Sequence, residues 1–240
     1  MRRAHAKNNI MATTDKPSTA LKKRARAIVH LLRRTYPHAR TELNHRNPLE
    51  LLIATILSAQ CTDKKVNEVT GPLFKKYPDV TAFARADQNT FEKEIRPTGF
   101  YRTKAAHIIA TAHIIINTYG GHVPNRMHDL ITLPGVARKT ANIVLAGAFN
   151  IAVGIAVDTH VKRLAGRMGL TAHTIPDKVE HDLMLLLPRS FWLDTNFVLV
   201  NHGRATCTAR KPRCAVCVVR QLCPHTSVMA APKSTMKIPK

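Results

Sequence analysis

The sequence predicts an all-α fold, and three observations carry that prediction. Apolar residues recur at intervals of three and four through the middle of the chain, strand-like alternation is scarce, and the periodic stretches are bounded by proline and glycine signals with short connections. With 240 residues, 45% of them apolar, the chain has room for one or two domains and a substantial core, which excludes a wholly disordered basic protein. A charged content of 22% excludes a membrane-embedded one. The 37 Lys and Arg against 15 Asp and Glu leave a formal net charge of +22. A polyanion is therefore the expected partner; nucleic acid is the commonest, and charge alone does not separate it from ribosomal or anionic-membrane surfaces.

Taken in order, residues 1–19 carry Lys, Arg, Asn, Thr and Pro without an apolar period and read as a disordered basic tail. Met1 to Met11 hold charge but no apolar stretch of the kind a secretory signal needs, so a cytoplasmic location is expected, nucleoid-associated if the source is bacterial. Asn47-Pro48-Leu49-Glu50 supplies an N-cap, a first-turn proline and a capping-box glutamate. Leu49, Leu52, Ile53, Ile56 and Leu57 follow, so a helix buried on one side is expected. A second helix starts near Thr103, turns Ala105, Ile108, Ile109, Ala112, Ile115, Ile116 and Tyr119 toward a core, and stops at Gly120-Gly121. Helical stretches over 127–132 and 138–149 flank the tight turn Leu133-Pro134-Gly135-Val136-Ala137. The apolar run 143–157 is interrupted by Asn150 and is shorter than the roughly 20 residues a membrane span requires. Asp158 ends it and precedes another helix start, and residues 228–240 read as a second disordered tail.

Four positions in this outline carry chemistry. The turn at 133–137 leads into a helix whose first amides have no intrahelical partner; it is either a phosphate site aided by the helix dipole or an ordinary helix-helix turn. Lys139 follows in the first turn, where the positive end of the dipole disfavours a cation. That field, with desolvation by Leu133 and Ile143, would favour the free amine that a Schiff-base nucleophile requires; the alternative is a solvated surface lysine. Asp158 is expected as an N-cap, a role compatible with meeting a developing positive charge, and His160 as a first-turn residue. Cys207, Cys214, Cys217 and Cys223 lie in one 17-residue segment with the spacing C-x6-C-x2-C-x5-C, whereas Cys61 stands apart. One C-x-x-C flanked by single cysteines suits a [4Fe-4S] cluster better than structural zinc, with unligated thiols the remaining alternative. Arg204, Arg210, Lys211, Arg213 and Arg220 surround the cysteines in sequence, either solvated or presented toward a phosphate backbone.

Leu133-Pro-Gly-Val-Ala-Arg-Lys-Thr-Ala141, Val157-Asp-Thr-His-Val161 and the four-cysteine segment, in that order, resemble the endonuclease III family, and Leu57-Ser-Ala-Gln-Cys-Thr-Asp63 and Thr41-Glu-Leu43 are similar to it as well. The likeness spans about residues 21–225. It implies a bifunctional DNA glycosylase and AP lyase of base excision repair, acting on oxidised pyrimidines in duplex DNA with damaged bases or abasic sites. It also implies two helical domains: a six-helix barrel with a helix-hairpin-helix motif over 42–152, and an iron-sulfur cluster domain from 20–41 and 153–227, with DNA in the cleft between them. A monomer is expected. Lys139 matches the nucleophile, Asp158 the catalytic carboxylate, and the four cysteines the cluster ligands. Leu133, Gly135, Val136, Ala137 and Arg138 match the phosphate-binding hairpin, and Gln60 and Phe100 match the side chains pushed into the gap left by a flipped nucleotide. Apart from the resemblance, Lys211 and Arg213 are expected as further DNA contacts from the charge of the loop between Cys207 and Cys214. Ala137 stands where glycine is usual, so a positive φ there would strain the turn by about 1 kcal/mol. Cys61 stands beside Gln60 where a small residue is common and reads as a packed thiol. Two other functions remain: a monofunctional adenine mismatch glycosylase, whose members typically lack a lysine at the position of Lys139, and a non-catalytic metal-stabilised DNA-binding module.

Overall fold

The structure, a computed structural model, describes residues 17–226, so the tails expected at either end lie outside it except for residues 17–19. Those three belong to the folded part: Ser18 caps the first helix by accepting from the Leu21 amide at 3.2 Å. Eleven α-helices and no strand occur among the described residues. They are α1 (Thr19–Thr35), α2 (Pro48–Leu57), α3 (Asp63–Lys76), α4 (Val80–Ala84), α5 (Gln88–Ile95), α6 (Tyr101–Tyr119), α7 (Met127–Leu130), α8 (Arg138–Phe149), α9 (Thr159–Arg167), α10 (Pro176–Leu186) and α11 (Arg189–Ala205). Among the described residues no helix is long and apolar enough to cross a membrane.

These helices close around two cores. The first is drawn from α2 through α8 and includes Leu51, Leu52, Phe83, Phe91, Ile108, Ile115 and Leu145. The second joins α1 to α9, α10 and α11 through Ile28, Leu32, Val161, Leu164, Leu183 and Leu199. In chain order the second core is therefore discontinuous.

Local signals set most of the helices. Asn47 caps α2 through its side-chain oxygen, which accepts the Glu50 amide at 2.9 Å, and Pro48 fills the first turn. The glutamate of this cap reaches one residue further back than a capping box: its carboxylate accepts the Arg46 amide at 2.6 Å and the Arg46 guanidinium at 2.6 and 2.9 Å. The expected one-sided burial of α2 is corrected, because every residue from Glu50 to Leu57 is buried. Glu-Leu-Leu-Ile-Ala-Thr-Ile-Leu has only two polar side chains, and both are satisfied within the helix or its cap. Thr55 bonds back to the Leu51 carbonyl at 2.6 Å, so the helix can run through the interior of the barrel. Helix α6 begins at Tyr101, two residues before the position expected. It buries Ala105, Ile108, Ala112 and Ile115, and ends at Gly120, whose φ of +59° only glycine adopts without strain.

Two polar bridges fasten the cores together. Glu180 on α10 is 5% exposed and accepts from Arg138 Nε at 2.7 Å, Asn142 Nδ2 at 2.8 Å and the Ile155 amide at 3.1 Å. Arg138 and Asn142 belong to α8, so a carboxylate from one core holds the first turns of a helix of the other. Arg204 on α11 reaches Glu42 and, at 2.7 Å, Asp63. Glu180→Ala leaves the buried Asn142 and Ile155 donors unpaired. Urea denaturation of that variant is expected to show a loss of about 2–4 kcal/mol, with Glu180→Gln less damaging because it keeps one acceptor.

Candidate active site

Lys139 and Asp158 line one cleft of about 220 Å³, walled also by Ser58, Cys61, Asp63, His160, Phe197 and Arg204. Each comes from the first turn, or the cap, of a helix in a different core. Asp158 is the N-cap of α9, and its Oδ1 accepts the Val161 amide at 2.8 Å. That bond fixes the carboxylate while Oδ2 stays available to a group in the cleft. Lys139 lies one residue inside α8 and is exposed. The expected desolvation by Leu133 is corrected here: Leu133 turns its side chain into the first core, where it is 2% exposed, whereas Ile143 lines the cleft with Lys139, which stays exposed. Whatever excludes water from Lys139 must be brought by a ligand.

His160 faces the same cleft and leans on Arg163, with Nδ1 3.2 Å from its guanidinium. Burial chiefly, with Arg163 and Arg204 adding to it, holds the imidazole below its ordinary range despite the neighbouring Asp158. This close packing of α9 on α11 requires Gly203, since a Cβ there would stand 2.8 Å from His160 Nδ1.

The hairpin between α7 and α8 is held from within. Leu133 and Val136 are buried, Thr111 Oγ1 donates to the Pro134 carbonyl at 3.0 Å, and the Val136 amide closes the turn on the Leu133 carbonyl at 3.1 Å. The side chains of Leu133 and Val136 are therefore core anchors, and Val136 has spent its amide. Gly135, Ala137 and Arg138 are exposed. The strain expected at Ala137 is absent: its φ of −84° and ψ of 169° are extended, as an N-cap residue requires, and a Cβ is accommodated there at no cost. The position that needs glycine is Gly135, where φ is +78° and an added Cβ would meet His107 at 3.0 Å. Arg138 is committed to Glu180.

Gln60 and Phe100 are not among the walls of the cleft. Both are exposed, Phe100 to 65%; Gln60 lies in the turn that follows α2 and Phe100 at the N-terminus of α6. Both have left-handed backbones, with φ of 54° and 47°; the only other non-glycine residue with positive φ among those described is Asn150, at the C-terminus of α8. For residues other than glycine and asparagine that conformation costs about 1–2 kcal/mol.

The four C-terminal cysteines form a separate centre. Cys207, Cys214, Cys217 and Cys223 line one cleft with Met168, His202 and Val219. Four thiols from one 17-residue segment suit an iron-sulfur centre, and the single C-x-x-C fits the paired-ligand form of structural zinc poorly. Burial pushes the Cys217 and Cys223 thiols up, so a bound metal must supply the charge that holds them as thiolates. The segment is organised by arginines: Arg167 donates to the Thr208 and Ala209 carbonyls at 2.7 and 2.6 Å and lies 3.4 Å from Cys207 Sγ, and Arg163 donates to the Cys207 carbonyl at 3.0 Å. Of the cations expected to surround the cysteines, Arg210 and Lys211 are exposed, and Arg213 turns one nitrogen back to the Ala205 carbonyl. Arg204 points away from the cysteines, to Glu42 and Asp63.

The comparisons agree with one another. A family model described as "HhH-GPD superfamily base excision DNA repair protein" matches residues 53–189, and one described as "Iron-sulfur binding domain of endonuclease III" matches residues 207–223. Endonuclease III of Synechocystis sp. is 51% identical over 203 residues, covering 85% of this chain and 93% of the relative. Endonuclease III of Escherichia coli is 41% identical over 198 residues, covering 82% and 93%. A solved non-covalent endonuclease III-DNA complex superposes with a TM-score of 0.82 at 40% identity, covering 87% of this chain and 97% of that one. A trapped endonuclease III-DNA covalent intermediate superposes equally well, at 39% identity and 88% and 99% coverage.

The hairpin geometry is open to direct test. Gly135→Ala is expected to lower stability by about 1–2 kcal/mol through its left-handed backbone alone. Adding His107→Ala should recover only the further part that arises from the contact, as read by thermal denaturation of the single and double variants.

Proposed function

The chain belongs to the endonuclease III family, and on that premise we propose that Lys139 is the nucleophilic amine and Asp158 its carboxylate partner. It is a DNA glycosylase of base excision repair with the AP lyase activity typical of its family, and it carries an iron-sulfur binding domain. One observation supports the assignment above the others. An unburied amine at the start of α8 and a carboxylate locked as the cap of α9 face one cleft between two cores.

A base stacked in a duplex cannot reach that cleft, so the nucleotide must be extruded. The Lys139 Nζ lone pair, freed by loss of a proton to solvent, then attacks the sugar C1′, and the base departs with the electron pair of the glycosidic bond and a proton. Asp158 Oδ2 stabilises the cationic sugar and assists proton transfer as the ring opens to a protonated Schiff base between Nζ and C1′. Loss of a C2′ proton expels the 3′ phosphate by β-elimination. Gln60 and Phe100 occupy the vacated space in the stack. Their exposure and left-handed backbones support that role, since strain held at a surface position is commonly tied to ligand contact.

The main-chain amides of the exposed residues Gly135 and Ala137 are assigned to the DNA backbone, as are Lys211 and Arg213. Arg138 contributes a positive field from its place on Glu180, and Leu133 and Val136 shape the turn. Cys207, Cys214, Cys217 and Cys223 hold the cluster, which supplies a covalent anchor for the loop between Cys207 and Cys214. The domain division proposed is 42–152 for the barrel and 20–41 with 153–227 for the cluster domain. Oxidised pyrimidines and abasic sites are the proposed lesions, acted on by a cytoplasmic monomer.

Borohydride added during turnover on a lesion-bearing duplex is expected to trap a covalent protein-DNA adduct. Lys139→Gln should abolish trapping while lesion binding stays within about threefold, and Asp158→Asn should slow base release by about 10²–10⁴-fold. A wild-type protein that binds the lesion but never forms the adduct would point to a binding module or a monofunctional enzyme.

A further inference from the structure

Lys104, in the first turn of α6, is 4% exposed on the face that buries Ala105, Ile108 and Ile115. Its Nζ donates to two main-chain carbonyls, Leu57 O at 2.7 Å and Thr98 O at 2.8 Å. Its own amide donates to the Phe100 carbonyl at 3.0 Å. The acceptors lie in two segments far apart in sequence. Leu57 is the last residue of α2 and stands three positions before Gln60; Thr98 ends the 3-10 turn Arg96–Thr98 and stands two positions before Phe100. A single ammonium thus ties the roots of both loops that carry the left-handed residues.

From this geometry we infer that Lys104 is a positioning residue for base extrusion: it sets the spacing and direction of Gln60 and Phe100 as a pair, without touching DNA. The inference rests on the assignment of those two residues as the side chains that fill the gap. It follows from what the alternatives would do. A methionine has nearly the same length and would fill the same space without a charge to desolvate; burial pushes the Lys104 ammonium below the ordinary lysine range, with the Cys61 thiol acting the other way. Stability alone would favour the apolar side chain. The ammonium adds a directional bond to the C-terminal carbonyl of α2, where the helix dipole is negative, and a second bond to the turn preceding Gly99-Phe100. With both made, the Leu57 and Thr98 carbonyls can be no further apart than two hydrogen bonds allow, and two strained loops become one rigid unit. Local closures hold each loop by itself, the Cys61 amide to the Ser58 carbonyl at 3.0 Å and the Gly99 amide to the Arg96 carbonyl at 3.2 Å. Among the described residues only Lys104 places one side-chain nitrogen on both.

The test compares Lys104→Met with wild type, both carrying the cluster, in single-turnover base release at saturating enzyme. One substrate holds an oxidised pyrimidine paired in a duplex; the other holds the same lesion in an unpaired bubble, where extrusion needs no wedge. Lys104→Met is expected to lose about 10–100-fold on the paired lesion, the size of effect that misplacing a group by about 1 Å can produce, and at most about threefold on the bubble. A 2-aminopurine next to the lesion should show a correspondingly smaller fluorescence rise on binding. Equal losses on both substrates at equal folded fraction, or no loss on either, would overturn the inference. If Lys104→Met does not fold, Lys104→Gln, whose side chain is one bond shorter and can keep a donor on one of the two carbonyls but not span both, is held to the same criterion. Wild-type protein inactive on both substrates would instead sink the functional reading itself.

Discussion

The arrangement depends on one carboxylate. Glu180 takes the Arg138 guanidinium, the Asn142 amide and the Ile155 main-chain amide at once, and it comes from the core opposite to the helix it holds. Lys139 follows Arg138 directly, and Ile155 stands three residues before Asp158. The same two oxygens therefore fix the root of the amine and the strand of chain that delivers the acid. Asn196 adds to that strand by donating to the Ala156 carbonyl at 2.8 Å. Had Lys139 and Asp158 risen from one helix, their spacing would be a property of that helix. Because they rise from two cores, it is a property of the interface, and a buried polar clamp is more demanding of geometry there than apolar packing would be.

With 15 acids to serve 37 bases, the placement of each acid is informative. Glu42 and Asp63 converge on Arg204 at the edge of the cleft, Asp194 pairs with Arg33 between α1 and α11, and Glu50 holds the start of α2. Several of the carboxylates thus lie at joints of the framework, and exposed cations such as Arg210, Lys211 and Lys139 are left for a polyanion. The affinity this produces falls with added salt, as counterions compete for the same charges.

Features with local causes were legible in the sequence. The cap and proline of α2, the stop of α6 at Gly120, the N-cap role of Asp158 and the four-cysteine segment each follow from residues within a few positions of one another. Features caused by long-range packing were not. Arg204 and Asp63 are 141 residues apart, so nothing local assigned Arg204 to the interface rather than to the cysteines. Glu180 and Arg138 are 42 apart, with the same result. Whether Ala137 carries a positive φ, the condition for strain there, is set by the backbone angles of the whole turn, which assign the positive φ to Gly135 two residues earlier. Lys104 did leave a trace: it occupies a core-facing position in the period of α6, where a lysine needs an explanation.

The discontinuity of the second core bears on how the chain is made. Helix α1 emerges from the ribosome early, with Ala25, Ile28, Val29 and Leu32 along one side, yet the other buried members of that core all lie beyond residue 154. At a synthesis rate of about 5–20 residues per second, that greasy stripe waits on the order of ten seconds for its partners. The barrel, whose core lies within 43–145, is complete in the nascent chain before then. Its folding brings the segments that flank it to a common side, and the first helix meets its late-arriving neighbours as an intramolecular encounter.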